Sequence, residues 1–436
     1  MKKVPLCAAF LFCIFLAVFA WGEAVPEKTA DNSEPDFRSS MAARGKYLTV
    51  KIAVAGPGDE LYLWWGHIGL VVEDSLTGNT EFFDWGVFSF DTENFFLDFA
   101  FGRLRYSCAA SPAKYAIPHI VNTNRDFTLY TLDLSSEAKT ELLLFAENNV
   151  RPENRNYWYH HFKDNCATRV RDIIDRAVGG GLKAEFGDAP GRFTLRQHVR
   201  RHTWFSPFWD WALCFLMGQD IDRPITVWDE MFLPSEIAMR CSSFSYTDSS
   251  GVRRKLVSDV EVLNKAMGRP AVMEAPPKSF VKEILFGLFL AAALGFLRWK
   301  TFKKTLPGRY FLGGAEALLG LFFGLMGFLL FFMSFFTNHD YTYHNANLLF
   351  VNPLLLAAFP LGLISAFGKK PEKRQKADRL LGWLWTIVFV GGILSIVIRF
   401  FPAFYQQNQP TQAMVIPFAF VLSVVPQWAG KRMRIG

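Results

Sequence analysis

The chain of 436 residues lacks the sequence patterns that mark the commonest metal-dependent and serine hydrolases. It contains no HExxH motif and no closely spaced pair of cysteines, so the sequence does not predict a metal site. It contains no G-x-S-x-G elbow, which argues against an α/β-hydrolase with a serine nucleophile. No internal repeat or low-complexity tract occurs, and we expect no cofactor. The six cysteines and eight histidines remain as the candidates for chemistry.

Positive charge is the next feature, and it does not indicate a nucleic-acid partner. The net charge is +7, and much of the excess lies beside apolar segments of the C-terminal third. Three basic clusters stand out there: Arg298/Lys300/Lys303/Lys304, Lys369/Lys370/Lys373/Arg374/Lys376 and Lys431/Arg432/Arg434. Basic residues that flank membrane spans account for such an excess without a polyanionic ligand.

Apolar segments of about 20 residues, the length that crosses a bilayer, recur from residue 280 onward. They predict a membrane region at 280–436 with five transmembrane helices, at 280–297, 310–336, 348–367, 380–400 and 414–430. The basic clusters follow the first, third and fifth of these, whereas the loops 338–347 and 401–413 contain no Lys or Arg. The positive-inside rule then places the three basic clusters in the cytoplasm and the soluble domain outside. Within the second span, Glu316 is either functional or a side chain that reaches the cytoplasmic interface.

The N-terminus has the pattern of a secretory signal peptide. Lys2 and Lys3 precede an apolar stretch up to Ala20, and small residues follow through Ala24. We predict a signal peptide at 1–24, with an uncleaved anchor as the alternative, and a flexible leader at 25–46. The following domain is therefore expected on the periplasmic side of the inner membrane. Export permits a disulfide, but the spacing of Cys108, Cys214 and Cys241 does not reveal one.

The exported segment 47–267 has strand patterns followed by helix patterns, which predicts an α+β domain. Strands are expected at 47–54, 67–72, 80–85, 103–109 and 126–134, and helices at 135–150 and 166–177. The aromatic segment 204–211 is expected either in the domain core or at the membrane interface. A linker at 268–279 joins this domain to the membrane region.

Cys166 is the strongest candidate for a nucleophile. It opens a helical pattern in which Val170, Ile173 and Ile174 share one face. Unpaired N–H groups and the positive end of the dipole at a helix N-terminus favour a thiolate, and Arg169 is a further source of positive charge. The alternative is that Cys166 is a small buried residue that helps the helix to dock.

His67 is the candidate base, because it opens a strand pattern in which it shares a face with Gly69, a residue that leaves room for a partner. If the following hairpin is centred between Leu76 and Thr77, Asp84 lies opposite Gly69 and can orient the imidazole. Glu81 and the Asn165 amide are the alternatives for that role. Of His160 and His161, at most one can reach the site, because neighbours in an extended segment face opposite ways.

The order of His67 and Cys166 reverses that of papain and is similar to the permuted papain-like superfamily, which includes the lecithin:retinol acyltransferases. The chain resembles the bacterial Lnb-type family more closely. The resemblance rests on Trp65-Gly66-His67, Phe83-Asp84-Trp85-Gly86, the run from Asn165 to Asp172, Phe232-Leu233-Pro234, and Asn345, Asn347 and Asn352-Pro353. Ala167 departs from the Ser or Thr that the family pattern leads us to expect.

This resemblance implies a permuted papain-like domain joined to a membrane region, and lipoprotein N-acyltransferase activity. It places Cys166 and His67 on the catalytic cysteine and histidine. We therefore expect a cysteine acyltransferase with a phospholipid as acyl donor and the N-terminal amine of a lipoprotein as acceptor. The alternatives are a cell-wall peptidase or amidase of the same fold, or a non-catalytic lipid-binding or scaffold protein. An apolar groove near Cys166 favours the transferase, and a polar cleft favours the peptidase.

Overall fold

The computed structural model describes residues 35–89, 94–303 and 306–424. The predicted signal peptide and the last basic cluster lie outside the described residues. As predicted, the chain has an α+β domain followed by a helical region with apolar helices.

A seven-stranded antiparallel sheet with the order β6-β4-β3-β2-β1-β5-β9 forms the centre of the N-terminal domain. The strands are β1 Leu48–Ala55, β2 His67–Asp74, β3 Asn79–Val87, β4 Arg105–Pro112, β5 Phe127–Leu132, β6 Asn156–Trp158, β7 Ser245–Thr247, β8 Arg253–Lys255 and β9 Val257–Asn264. β7 and β8 form a separate hairpin. β9 pairs with β5, so the last strand of the N-terminal domain lies beside a strand from the middle of its sequence.

Ten helices of the N-terminal domain surround this sheet in the described residues. They are α1 Pro35–Gly45, α2 Phe95–Ala100, α3 Ala113–Val121, α4 Ser136–Asn149, α5 Cys166–Ala177, α6 Gly181–Phe186, α7 Leu195–Thr203, α8 Pro207–Leu216, α9 Val227–Glu230 and α10 Pro234–Ser243. Helix α1 occupies part of the segment that we predicted to be a flexible leader. Met41 of α1 is buried, and its carbonyl accepts a hydrogen bond from Thr140 of α4. Packing against α4 therefore orders a segment whose polar composition favours a coil.

Each face of the sheet has its own hydrophobic core, because successive strand residues point to opposite faces. Helices α4 and α5 cover the face that carries Ile52, Ile68 and Leu70. Helix α3 covers the face that carries Val71 and Phe82. Helix α5 packs against β2 and β3, which brings its first residue close to the start of β2.

The C-terminal region is a closed ring of helices, each in contact with two others. The helices, in ring order, are α11 Val281–Phe302, α12 Leu306–Phe336, α13 Ala358–Phe367, α14 Pro371–Ile398 and α15 Gln409–Leu422. Glycines lie where neighbours approach most closely: a Cβ on Gly313 would lie 2.7 Å from the Gly362 carbonyl oxygen. Close contacts between small residues are typical of helix packing in membranes.

Two helical segments, Pro307–Phe336 and Pro371–Ile398, are long and apolar enough to cross a membrane on their own. The shorter apolar segments are Pro353–Phe367 and Gln409–Leu422. The number of five crossings therefore stays a prediction. Glu316 is buried in the helix bundle, so it does not extend to the interface as a solvated side chain.

The 338–347 loop folds back onto the N-terminal domain. The Asn338 N–H donates to the Phe101 carbonyl at 2.8 Å, and His339 Nε2 donates to the Phe99 carbonyl at 2.9 Å. Gly102 has a positive φ of 71°, and a Cβ there would lie 2.9 Å from Asn338. Glycine is therefore required for this close approach.

Helix α8 connects the two regions. Trp211 and Phe215 are buried in one core with the ring of helices, and the Trp211 ring lies 6.3 Å from that of Phe322. Phe208 and Trp209 of the same helix are exposed. The aromatic segment 204–211 thus has a buried part and an exposed part.

The charge pattern predicts on which side each loop lies. A reporter that fluoresces only in the cytoplasm should be fluorescent when fused after Lys376 or Gly436. It should stay dark when fused to a chain that ends at His344, because Lys and Arg near membrane spans are retained in the cytoplasm. Whole-cell fluorescence, normalised to expression, measures this. The reverse pattern would refute the export of the N-terminal domain.

Candidate active site

His67 is held at the first position of β2, where it pairs with Ala55 of β1. Gly66, just before it, has a φ of 80° and would place a Cβ 2.7 Å from the Ala55 carbonyl oxygen. A Cβ on Gly86 would lie 2.5 Å from Cε1 of the His67 ring. The imidazole therefore occupies space that a side chain at position 86 would fill.

Asp84 lies opposite Gly69, which is the register predicted from the hairpin. His67 Nε2 donates to Asp84 Oδ1 at 2.9 Å, and the Gly86 N–H donates to the same oxygen at 2.7 Å. The carboxylate is therefore fixed by its own strand and in turn fixes the ring. Glu81 is exposed and lies on the other face of β3.

Cys166 is the first residue of α5, and the Asn165 side chain caps this helix. Asn165 Oδ1 accepts hydrogen bonds from the N–H groups of Ala167 and Thr168, both at 2.9 Å. Its Nδ2 donates to the carbonyls of His161 and Phe232. The amide is thus fully used in fixing the helix start and does not orient His67. Ala167, which departs from the expected Ser or Thr, is buried in the core.

The thiol of Cys166 lies close enough to the His67 ring to act on the pKa of the imidazole. Because Asp84 occupies Nε2, Nδ1 is the nitrogen left for the sulfur. Burial lowers the pKa of His67, but the charges of Asp84 and Cys166 and the hydrogen bonds to both outweigh it, and the net shift is well upward. Burial raises the pKa of Asp84, yet His67 and the Gly86 N–H bring it below its usual value. These directions favour an imidazolium beside the Asp84 carboxylate.

Aromatic rings form the walls beside the thiol. Tyr106 and Tyr159 stack with centroids 4.1 Å apart, and Phe88 lies 4.9 Å from Tyr106. Burial raises the pKa of both tyrosines, and the nearby charge of Cys166 adds to the shift. The walls are therefore largely apolar around the reactive sulfur. Tyr106 lies in no motif that would have singled it out, whereas Tyr159 stands in the conspicuous run Tyr157 to Phe162.

Arg125 is a further residue near the thiol that sequence reasoning missed. It is only 5% exposed, and its Nε donates to the Gly56 carbonyl at 2.8 Å. Gly56 follows Ala55, the strand partner of His67, so the guanidinium lies at the His67 end of the sheet. Nη2 has no hydrogen-bond partner among the described residues. Burial lowers the pKa of Arg125, and the charge of Cys166 acts in the opposite direction.

Arg169, Asp164 and the two neighbouring histidines have other partners. Arg169 forms a two-point ion pair with Asp164 and lies over the Tyr157 ring. His160 donates to Asp340 at 2.7 Å, in the loop from the membrane region. His161 lies between aromatic rings, and burial lowers its pKa to about 3, so it is neutral.

The other described cysteines are free and buried, with no disulfide among them. Burial raises the pKa of Cys108 to about 11 and that of Cys241 to about 12, which keeps both as thiols. Within the described residues, no group of three or more His, Cys, Asp or Glu side chains is arranged to hold a metal ion. Cys166 is partly exposed, and its thiol lies beside the His67 imidazole.

Comparison with known families agrees with the order of the two regions in the structure. Residues 40–201 match the family model described as Lnb N-terminal periplasmic domain. Residues 277–428 match the model described as Lnb transmembrane domain. Neither the curated proteins nor the solved structures gave a match. The chain is thus a membrane protein with an extracytoplasmic domain.

Asp84→Asn should narrow the pH range in which His67 stays protonated. The substitution removes a charge that holds the His67 pKa above its ordinary value of 6.5, while the burial that lowers this pKa remains. As the pH rises, the imidazolium of the variant should therefore lose its proton earlier than that of the unmodified protein. The rate at which iodoacetamide alkylates Cys166, followed by mass spectrometry across pH, reports this change.

Glu81→Gln is the matched control, because Glu81 is a carboxylate on the same strand that faces away from Asp84. It should leave the pH profile unchanged. A shifted profile in Glu81→Gln, or an unchanged one in Asp84→Asn, would contradict the assignment of Asp84 as the partner of the imidazole.

Proposed function

The chain belongs to the Lnb family, and from this premise we propose that it is a membrane-anchored cysteine acyltransferase of the inner membrane. It moves an acyl chain from a phospholipid to the N-terminal amine of a lipoprotein through a thioester on Cys166. The observation that carries the proposal is that the Cys166 thiol and the Asp84 carboxylate both act on the His67 ring. A thiol with a base and a group that orients the base is the minimum equipment of thiolate catalysis.

The first half-reaction transfers the acyl group to the protein. The Cys166 thiolate attacks the ester carbonyl carbon of the phospholipid, so that a C–S bond forms. The tetrahedral intermediate collapses, the ester C–O bond breaks, and the His67 imidazolium gives its proton to the leaving alkoxide. The products are a lysophospholipid and the Cys166 thioester, with His67 now neutral.

The second half-reaction transfers the acyl group to the acceptor. The terminal amine of a diacylglyceryl-cysteine lipoprotein attacks the thioester carbon, and neutral His67 takes the proton that the amine loses. The C–S bond breaks, an amide forms, and the thiolate and imidazolium are restored. Asp84 keeps the ring in position throughout and remains an anion.

Charge develops on the carbonyl oxygen in both half-reactions, and preorganised donors stabilise it. The N–H groups of Ala167 and Thr168 are engaged by Asn165, which leaves the Cys166 N–H at the helix start. Arg125 Nη2 is a second donor that has no other partner among the described residues. We assign the oxyanion to these two groups.

The surroundings of the thiol favour a lipid substrate over a cell-wall peptide. Tyr106, Tyr159 and Phe88 supply aromatic surface near Cys166 on which an acyl chain can lie. The domain also contacts the ring of helices directly, through the 338–347 loop. The linked thiol and imidazole in turn favour an enzyme over a non-catalytic scaffold.

Purified protein incubated with phospholipid should acquire a hydroxylamine-sensitive acyl adduct on Cys166. A diacylglyceryl-cysteine peptide added afterwards should remove the adduct and become N-acylated. Cys166→Ala should abolish both steps without unfolding the protein, because one small side chain replaces another. Cys166→Ser should be nearly as inactive, and His67→Ala should prevent the adduct for want of a base. Mass spectrometry of protein and peptide measures each step.

Cys108→Ala is the control, since this buried thiol is kept protonated. It should leave both steps unchanged. An adduct on Cys108, Cys214 or Cys241 instead, or full transfer by Cys166→Ala, would overturn the mechanism. A cleaved cell-wall peptide in place of an acylated amine would identify the peptidase.

Arg125→Met should lower the rate of adduct formation by about 100-fold, the usual cost of losing one donor to an oxyanion. Arg171→Met is the matched control, because Arg171 is similarly buried, at 8% exposure, but binds Asp172 and the Trp228 carbonyl. The rate of thioester formation measures both variants. An equal loss in the two variants would mean that Arg125 acts only on stability.

A further inference from the structure

Helix α2, Phe95–Ala100, exposes apolar side chains next to the membrane region. Phe96 is 75% exposed and Leu97 57% exposed, and Phe99 is also exposed. Large apolar side chains that are exposed side by side mark a surface that meets a partner or a lipid phase. A helix of six residues has too little packing surface of its own to account for these exposed side chains.

The neighbour of α2 is the end of a membrane helix. The hydrogen bonds from Asn338 and His339 attach the Phe99–Phe101 backbone just beyond the last residue of α12. The Phe101 ring lies 5.5 Å from that of Phe332 in α12. Helix α2 is therefore fixed beside the end of α12, at the level where this helix leaves the apolar interior of the bilayer.

The last turn of α12 carries further exposed rings, those of Phe335 and Phe336. Together with α2 they form an apolar surface that is continuous with the outside of a helix long and apolar enough to span the bilayer. Arg103 and Arg105, both exposed, follow α2 in the chain. Apolar side chains flanked by arginines are typical of a segment that lies in the membrane interface.

A series of rings leads from α2 back to the thiol. The ring centroids of Phe99 and Phe95 lie 6.2 Å apart, and those of Phe95 and Phe88 are also 6.2 Å apart. Phe88 lies 4.9 Å from Tyr106, one of the two tyrosines beside Cys166. The membrane edge and the reactive sulfur are thus joined by continuous aromatic surface.

We propose that α2 is the lipid-entry element of this protein. Phe96, Leu97 and Phe99 enter the outer surface of the bilayer, and a phospholipid acyl chain leaves the membrane beside them. The chain then lies along Phe88 and Tyr106, which brings its ester to Cys166. This inference rests on the proposed acyltransferase function, because it names the path of the donor in that reaction.

The test compares two leucines of similar exposure. Leu97 lies on α2, and Leu76, 60% exposed, lies in the β2–β3 turn at the opposite end of the sheet from His67. The protein is reconstituted in vesicles of phosphatidylethanolamine and phosphatidylglycerol. The rate of thioester formation on Cys166 is measured with these lipids and, in parallel, with a water-soluble ester of a four-carbon acid.

Leu97→Glu should lower the rate with vesicle lipids by about tenfold or more, because a carboxylate replaces an apolar group that enters the bilayer. It should leave the rate with the soluble ester unchanged, since that donor does not come from the membrane. Leu76→Glu should change neither rate. An unchanged vesicle rate in Leu97→Glu, or an equal loss with both donors, would overturn the proposal.

A cross-linking measurement separates this inference from the proposed function. A photoreactive benzophenone side chain at position 97 should form covalent products with vesicle phospholipids, and one at position 76 should form none. If the unmodified protein makes no thioester with either donor, the acyltransferase function fails, whereas cross-linking at 97 still supports contact with acyl chains. Absence of cross-links at 97 overturns the lipid-entry role whatever the activity.

Discussion

The geometry of the candidate site depends on the hydrogen bonds of the Asn165 side chain. This one amide caps α5 by accepting from two N–H groups and ties the helix start to two neighbouring segments through the His161 and Phe232 carbonyls. Since capping fixes where a helix begins, it also fixes which residue carries the first exposed side chain, and that residue is Cys166. A helix start shifted by one residue would turn the thiol away from His67. The Asn165 amide therefore sets the position of the Cys166 thiol, whereas Asp84 sets the orientation of the His67 ring.

A second constraint is the attachment of the N-terminal domain to the ring of helices. Arg196, fully buried, pairs with Asp222 and donates to the carbonyls of Cys214, Met217 and Gly218, in the last turn of α8 and just after it. Asp222 in turn accepts from the Gln407 N–H of a loop in the membrane region. Carbonyls at a helix end lack intrahelical partners, and they are costly to bury without one. The arginine satisfies them and links the two regions through the same ion pair, so relative movement would break several buried hydrogen bonds at once.

The sequence was sufficient to predict those features of the fold and the site that depend on residues close together in the chain. The hairpin turn fixes the register of Gly69 against Asp84, and the Asn-Cys start with its apolar stripe fixes α5. It was insufficient where the partners are far apart in the chain. Arg125 lies in a loop without a motif, and only the pairing of β5 with β1 brings it to the His67 end of the sheet. The helix α1 likewise depends on α4, because its own polar composition favours a coil. The closure of the ring of helices also depends on contacts between distant segments, which apolar length alone does not specify.

These two constraints bear on the proposed reaction, because they hold the N-terminal domain and the ring of helices together. A phospholipid ester lies near the membrane surface, so an enzyme that acts on it must hold its nucleophile at a set height above the acyl chains. A flexible linker would leave that height variable, whereas the buried Arg196–Asp222 pair and the folded 338–347 loop fix it. The cost of drawing an acyl chain out of the bilayer falls when apolar surface replaces the lipid around it. In the proposed path, the aromatic rings from α2 to Tyr106 supply such a surface, and the contacts of the domain with α12 and the 338–347 loop keep those rings beside the membrane helix.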